Sequence, residues 1–380
     1  MIGTQATTVA LAWRTFTLTG SAAGLGLVLT GQTAAMLGTT LLAGALADRV
    51  DRKSVLIVAD ALRGSVLVGL ALADVTGHLS IALLVAVAVV LGIGDGFFNP
   101  SFGGMVPLVV RSSHIASANS LIGFARQGAA VGGPTLAGIL YERLTSSGVF
   151  AIDALTYAFA IVLLWRLPSA ETRLSAASTG TTLGDIRDGL RYIGGVPWLW
   201  VTFALFASTG LLRFAPQQVL LPQLVEEHFH LGVGAYALLV SFIGLGLTLG
   251  MLAFGQLTPR RRRGQLLYLV SAVASLFFAG VAVSPVFAAA VGLATLHGLA
   301  FGFAIGLWET AVVELVPGQV LSRVISVNYL SAFGLLPLGM LLTGVAAAFL
   351  PPGAILAAGA VGTAGLFIAL LPRTFIQMLD

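Results

Sequence analysis

Long apolar stretches alternate with short polar connections along almost the whole chain. A bilayer core of about 30 Å needs about 20 helical residues, so each stretch predicts a helix that crosses a membrane. The stretches are continuous rather than alternately apolar and polar, which favours helices over the strands of a barrel. The predicted segments are 2–18, 24–46, 54–73, 79–103, 118–140, 148–165, 197–222, 233–257, 265–284, 286–312, 324–350 and 353–372.

Composition agrees with this pattern and excludes several kinds of chemistry. Of the 380 residues, 57% are hydrophobic and only 9% are charged, against about 25% charged residues in a soluble domain. Cysteine is absent, so there is no disulfide, thiolate metal site or cysteine nucleophile. The only lysine follows an arginine, which excludes a phosphate-binding G-K-S/T loop, and no serine hydrolase or zinc protease motif occurs. We therefore expect no catalytic residue, metal, cofactor or nucleic-acid partner.

The positions of the basic residues predict the orientation. Most of the 19 lysines and arginines lie near the connections that follow even-numbered segments, whereas the opposite connections hold only Arg143. Basic loops stay in the cytoplasm. Both termini are therefore predicted to be cytoplasmic, in a multi-pass protein of the inner (cytoplasmic) cell membrane.

The longest polar stretch, 168–196, is rich in Ser, Thr and Gly and becomes amphipathic towards its end. It predicts a cytoplasmic linker, ending in a short surface helix, between six-segment halves at 1–167 and 197–380. The halves match each other in three places, at nearly one offset: GALADRVDR (44–52) with GQLTPRRRR (255–263), MVP (105–107) with LVP (315–317), and SANSL (117–121) with SVNYL (326–330). The pattern predicts parallel structural repeats, an arrangement typical of transporters with a substrate site between the halves.

The stretch GALADRVDRK (44–53) resembles the signature that follows segment 2 in the major facilitator superfamily, G-x-x-x-D-R/K-x-G-R/K-R/K. Asp51 stands where glycine is usual, and the matching residues are Gly44, Asp48, Arg49, Arg52 and Lys53. The resemblance implies that Asp48 faces the start of segment 11, where Arg323 is a plausible partner. Such a contact would act as a latch that forms in only one of two conformations. The alternative is that these charges only set the topology.

Other motifs resemble the branch of this superfamily that exports drugs, macrolides and siderophores such as enterobactin. They include ADALRG, GDGFFNP and ANSL. The stretch GAAVGGPTLAG (128–138) is loosely similar to the helix-packing motif of drug:proton antiporters, through Gly128, Gly133, Pro134 and Gly138. The implied fold is an all-α membrane protein of twelve transmembrane helices in two six-helix pseudo-repeats.

Charged residues inside a membrane are costly and are functional candidates by default. Asp95 in segment 4 and Arg126 in segment 5 are predicted at similar depths, so they can form a pair. Either this pair is static, or Asp95 titrates and couples transport to protons. Asp60 and Arg63 have the i,i+3 spacing of a local pair.

The remaining intramembrane candidates carry less specific signals. Arg213 in segment 7 is either structural or a contact for an anionic substrate, and Arg14 is expected to extend towards the membrane surface. Glu309 either titrates or contacts the inner loops, and Gln127 is a neutral cavity candidate. The five histidines are scattered and predict no metal site.

The sequence therefore predicts a monomeric secondary transporter that exports small amphipathic molecules by alternating access, with protons as the coupling ion. An uptake symporter of the same fold is the first alternative, followed by an intramembrane enzyme and a nontransporting membrane protein. Segment 1 begins directly after Met1 and is short and polar for a spanning helix. We therefore expect the natural chain to begin further upstream, the alternative being a tilted first helix.

Overall fold

A computed structural model describes residues 1–46, 51–167, 191–257, 259 and 261–373. Every regular element among these residues is helical. The α-helices are α1 (Ile2–Thr19), α2 (Ala22–Leu46), α3 (Arg52–Val75), α4 (Ile81–Val109), α5 (Ile115–Arg166), α6 (Pro197–Thr209), α7 (Ala215–Glu227), α8 (Val233–Leu257), α9 (Arg263–Val283), α10 (Phe287–Leu315), α11 (Gly318–Phe333), α12 (Leu336–Ala346) and α13 (Pro352–Leu370). A 3₁₀ turn, Ser112–His114, precedes α5, and a π-helical turn, Gly210–Phe214, joins α6 to α7.

The helices have the surface of a multi-pass membrane protein. Within the described ranges, nine helical runs are long and apolar enough to cross a membrane. Large apolar side chains such as Phe124, Leu155 and Phe159 lie on the outside, each more than half exposed. Such a surface suits lipid rather than water.

Several predicted segment boundaries are shifted. Segments 5 and 6 lie in α5, where Thr145, with φ 61°, departs from helical geometry and marks a kink between two helices. The break that the sequence predicts at 141–147 is therefore present, but it is a single non-helical residue. Segment 7 continues to Glu227 through the π-helical turn. Segment 11 begins earlier, at Gly318, and is interrupted between α11 and α12.

The chain divides into two compact units. Unit 1 comprises Met1–Ser178 with Gly232–Ala237, and unit 2 comprises Thr179–Leu231 with Leu238–Asp380. In unit 1, α2 packs on α4, α1 packs on α5, and α3 packs on both α4 and α5. In unit 2, α9 packs on α10 and α13. Most of the predicted linker, 168–190, lies outside the described residues.

Glycines allow close helix contacts inside each unit. In unit 1, a Cβ at Gly92 of α4 would overlap the carbonyl of Gln32 in α2. In unit 2, a Cβ at Gly246 of α8 would overlap the carbonyl of Thr295, and one at Gly298 of α10 would overlap that of Ile243. Small residues at such positions let membrane helices approach backbone to backbone. The G-x-G patterns at 92–94 and 244–246 therefore serve helix packing.

Candidate functional site

Unit 1 contains a buried charge cluster, the Arg63 cluster, formed by Asp60, Arg63 and Asp95. Nη1 of Arg63 donates to Oδ1 of Asp95 at 2.7 Å, and Nη2 donates to Oδ1 of Asp60. The predicted i,i+3 pair of Asp60 and Arg63 is therefore present. The side chain of Asp60 is 3% exposed and that of Asp95 is 21% exposed. Asp95 is thus the more accessible of the two carboxylates that share the guanidinium.

Neighbouring residues fix the position of Arg63. Its guanidinium carbon lies 4.4 Å from the ring centre of Phe98 and 4.8 Å from that of Tyr157. A Cβ at Gly94 would lie 2.6 Å from Cγ of Arg63, so the absence of a side chain there makes room for the arginine. The residues of GDGFFNP therefore have separate roles: Gly94 admits Arg63, Asp95 accepts its hydrogen bond, and Phe98 stacks against it.

The predicted pair of Asp95 and Arg126 is wrong. Asp95 bonds Arg63 because α4 packs along α3 and makes few contacts with α5. Arg126 is exposed, and no described residue forms an ion pair with it. Asp95 therefore pairs with the segment that precedes it in the sequence and not with the one that follows it.

Two further acids of unit 1 bind hydroxyl groups. Asp153 is buried and accepts hydrogen bonds from Thr7 at 2.7 Å and Thr156 at 2.9 Å. Asp74, at the end of α3, pairs with Arg14 at 2.8 Å and accepts a hydrogen bond from the Ser146 hydroxyl. Arg14 therefore has an acidic partner, in contrast to the expectation that it would extend to the membrane surface. Both acids tie α1 to other helices of the unit.

Unit 2 contains a different cluster around Arg213, which is 2% exposed. Nη1 of Arg213 lies 2.9 Å from Nε2 of His297, and Nδ1 of His297 lies 2.8 Å from the carbonyl oxygen of Ala274. The rings of Phe214 and Phe301 flank the guanidinium at 4.3 and 5.1 Å. In this conformation Arg213 is enclosed by protein groups, so a direct contact with an anionic substrate would require it to move.

The other predicted cavity residues are less enclosed. Glu309 is exposed on α10, and no described residue bonds its carboxylate. Gln127 lies on α5 and is half-buried. Among the described residues, no group of histidines and acids has the arrangement of a metal site.

The described part of the signature loop is bound to its own unit. The side chain of Asp51 accepts hydrogen bonds from the backbone N–H and hydroxyl of Ser54, at 2.9 and 2.7 Å, and caps α3. The Ser54 hydroxyl holds the pKa of Asp51 below its ordinary value. Lys53 donates to the carbonyls of Trp165 and Leu167 at the end of α5, at 3.2 and 2.6 Å.

The remaining latch residues are only partly described. The Arg52 guanidinium occupies the space that a Cβ at Gly104 of α4 would take. Gly44 lies on α2, and Arg323 lies half-buried on α11. Asp48 and Arg49 lie outside the described residues.

Two glycines of the glycine-proline motif lie where another helix approaches closely. A Cβ at Gly133 would lie 2.5 Å from Cβ of Gln5 in α1, and one at Gly138 would lie 2.8 Å from Cβ of Ala237 in the same unit. Gly128 has open space around it, and Pro134 is buried within α5.

The sequence pattern does not reveal two residues of these clusters. The i,i+3 spacing predicts a bond of Arg63 to Asp60 alone, although Gly94 beside Asp95 is a signal for a bulky neighbour. The scattered histidines predict no role for His297, although an ionisable residue inside an apolar segment is itself a signal.

Comparison with known proteins gives a consistent picture. The model of the Major Facilitator Superfamily matches residues 1–336. The enterobactin exporter EntS of Citrobacter koseri is 27% identical over 310 residues, which cover 79% of this chain and 71% of that protein. The multidrug efflux pump Tap of Mycobacterium bovis (strain BCG / Pasteur 1173P2) is 24% identical over 351 residues, covering 88% and 81%.

Solved structures support the same fold. The crystal structure of the nucleoside transporter NupG superposes with a TM-score of 0.74 at 13% identity, covering 100% of this chain and 99% of that one. The family and its structural neighbours are transporters, so the protein is a transporter and not an enzyme. The chain belongs to the Major Facilitator Superfamily, the family that its signature loop resembles.

Proposed function

We propose that this transporter exports small amphipathic molecules in exchange for protons, by alternating access, and that Asp95 carries the proton. The named substrates of its relatives, enterobactin for EntS and multiple drugs for Tap, support export of this class of molecule. The observation that carries the proposal is the sharing of Arg63 between two carboxylates near the middle of α3 and α4.

Charge counting explains why the Arg63 cluster suits a proton carrier. With both acids ionised, two negative charges share one positive charge, so the cluster has a net charge of −1. When Asp95 takes up a proton, Arg63 remains paired with Asp60 and no buried charge is left without a partner. Because a lone buried charge is very costly, this arrangement lowers the cost of switching between the two protonation states.

Protonation of Asp95 would also change how two helices are joined. Asp60 and Arg63 both lie on α3, whereas Asp95 lies on α4, so the bond to Asp95 is the ion pair of the Arg63 cluster that joins the two helices. Ionised Asp95 holds α3 against α4 by a charge-assisted hydrogen bond. Neutral Asp95 loosens this link and favours a different arrangement of the helices, which is how proton binding would bias a conformational equilibrium.

We also propose the finer topology predicted from the sequence. In this proposal twelve segments cross the cell membrane of a bacterium, the halves are 1–167 and 197–380, the linker is 168–196, and both termini are cytoplasmic. Every predicted segment falls largely on helical residues, and the non-helical geometry at Thr145 supports a division of α5 into two crossings. The signature loop, with Arg52, Lys53 and Arg323, is retained as a proposed latch between two conformations of a monomer.

The test is gradient-driven transport by Asp95→Asn in proteoliposomes, with ethidium and enterobactin as probes. We expect the mutant to lose the acceleration that an inwardly directed proton gradient gives to export, because asparagine cannot release a proton. Asp153→Asn is the matched control, since it removes a buried carboxylate that binds only hydroxyls, and it should keep gradient-driven export per folded molecule. Undiminished gradient-driven export by Asp95→Asn would refute the role of Asp95, and probe accumulation along the proton gradient would indicate a symporter.

A further inference from the structure

Arg213 of unit 2 is a buried cation that has no acidic partner in the part of the chain that the structure describes. Its Nη1 donates to His297, its Nε has no hydrogen-bond partner, and the faces of its guanidinium meet the rings of Phe214 and Phe301. No carboxylate among the described residues forms an ion pair with it. The side chains that the structure places against its guanidinium are an imidazole and two aromatic rings.

The geometry fixes the protonation state of His297. A carbonyl oxygen only accepts, so Nδ1 carries the hydrogen that binds the carbonyl of Ala274. A guanidinium only donates, so Nε2 must offer its lone pair to Arg213. His297 is therefore neutral and protonated on Nδ1 while Arg213 is bound.

The side chain of His297 is enclosed by a small number of groups. It is 1% exposed, and the ring of Phe278 from α9 and that of Phe301 from its own helix lie against it. Arg213, from the π-helical turn, is the charged group that faces His297 among the described residues. Ala274 contributes only its carbonyl from α9.

We propose that His297 is a second proton-binding residue of this transporter, and that a proton on Nε2 and the contact with Arg213 exclude each other. The incoming proton would occupy the lone pair that accepts the hydrogen bond from Arg213. His297 and Arg213 would then both be positively charged, and at so short a distance these charges repel each other strongly. Uptake of a proton from water therefore releases Arg213 from α10, and loss of the proton restores the contact.

The position of Arg213 gives this release a structural consequence. Arg213 lies in the π-helical turn, where the N–H of Ala215 bonds the carbonyl of Gly210. Such turns are frequent at functional sites in helices. The contact of Arg213 with His297 holds the turn to α10, together with the ring contact of Phe214 with Phe301, so protonation of His297 would loosen the junction between α6 and α7. The inference rests on the proposed proton coupling, which it extends to unit 2.

The first test reads the tautomer directly, without transport. In the purified protein labelled with ¹⁵N-histidine at about pH 7.5, the signal that disappears in His297→Gln should have the pattern of a neutral ring protonated on Nδ1. The exposed His78 provides a matched control, since His78→Gln should remove a different signal. An imidazolium pattern for His297, or a ring protonated on Nε2, would overturn the proposal whatever the outcome for Asp95.

The second test measures proton-driven ethidium export at a constant gradient, with both compartments shifted between about pH 5.5 and pH 8. Glutamine at 297 can accept a hydrogen bond from Arg213 but cannot take up a proton. We expect export by His297→Gln to change with pH less than native export does, by about two-fold or more, because only Asp95 then binds a proton, whereas His78→Gln should retain the native profile. A native profile in His297→Gln would overturn the inference, whereas gradient-driven export by Asp95→Asn would overturn only the earlier proposal. If His297→Gln does not accumulate, Arg213→Met replaces it: the Ala274 carbonyl should keep the hydrogen on Nδ1, and the His297 signal should change to the imidazolium pattern at a higher pH than in the native protein, because Nε2 is then free to take the proton.

Discussion

The two buried arginine clusters are packed alike and charged differently. Arg63 in unit 1 and Arg213 in unit 2 each lie between two aromatic rings, within about 5 Å of both ring centres. Arg63 also binds two carboxylates, whereas Arg213 binds a neutral imidazole. The aromatic rings thus provide a common way to accommodate a guanidinium, and the remaining partner decides the net charge of the site.

This difference has opposite consequences for proton binding. The Arg63 cluster has an excess negative charge, so it gains a proton without losing its ion pair. The Arg213 pair has an excess positive charge, so it accepts a proton only by breaking its contact. Two clusters of similar construction can therefore respond to the same proton gradient in different ways.

Replacing each arginine with methionine gives the largest expected contrast. Arg63→Met leaves two buried carboxylates facing each other and should cost about 3–5 kcal/mol of stability. Arg213→Met removes a buried cation with an unsatisfied Nε and leaves a neutral histidine, so it should change stability by at most about 1 kcal/mol or stabilise the protein. Thermal unfolding in detergent, with the yield of folded protein, measures both. Equal losses for the two variants would show that the charge difference does not govern stability.

The second contrast lies within α4, where one glycine faces Arg63 and another faces open space. Gly94→Ala would place a Cβ 2.6 Å from Cγ and 2.8 Å from Cδ of Arg63, whose far end is held by two acids. We expect a loss of about 1–3 kcal/mol, as for other overpacked sites. Gly103→Ala meets nothing within 4 Å and should be neutral or stabilising by up to about 1 kcal/mol. A neutral Gly94→Ala would mean that Arg63 is less constrained than its contacts indicate.

Much of the fold followed from the sequence because hydropathy reports directly on helices that face lipid. The predicted segment 2–18 matches α1, and 233–257 matches α8. Hydropathy gave too long a break between segments 5 and 6, because the polar residues at 141–147 continue in helical geometry on both sides of Thr145. It also gave no sign of the π-helical turn, which changes the hydrogen bonding but not the composition.

The candidate sites were less predictable because side-chain partners depend on which helices pack together. The pair of Asp60 and Arg63 followed from spacing on one helix, which is a local property. The partner of Asp95 did not, because the packing of α4 on α3 rather than α5 is a tertiary property. The pairing of Arg213 with His297 joins residues 84 positions apart, and no local pattern links them.

The smallest expected effect concerns the residue that precedes α3 in unit 1 and the corresponding residue that precedes α9 in unit 2. Asp51 caps α3 through Ser54, whereas Arg262, at the corresponding start of α9, makes no side-chain cap and has a left-handed φ of 54°. Asp51→Ala should therefore cost about 0.5–1 kcal/mol, at the lower end for a lost cap because the loop is exposed. Arg262→Ala removes no cap, so it should change stability less.

The pH dependence separates the cap from the charge of Asp51. Hydrogen bonds from Ser54 lower the pKa of Asp51 below its ordinary value of 3.8, so its ionised form stabilises the folded state. This contribution is complete above that value and is lost as the pH falls through the lower pKa of the folded protein. The difference in unfolding temperature between native protein and Asp51→Ala should therefore shrink on acidification. Asp51→Asn keeps a capping oxygen without the charge, so it should lie between the two at neutral pH and converge with the native protein in acid. A difference between native protein and Asp51→Ala that does not change with pH would show that the cap acts without the charge.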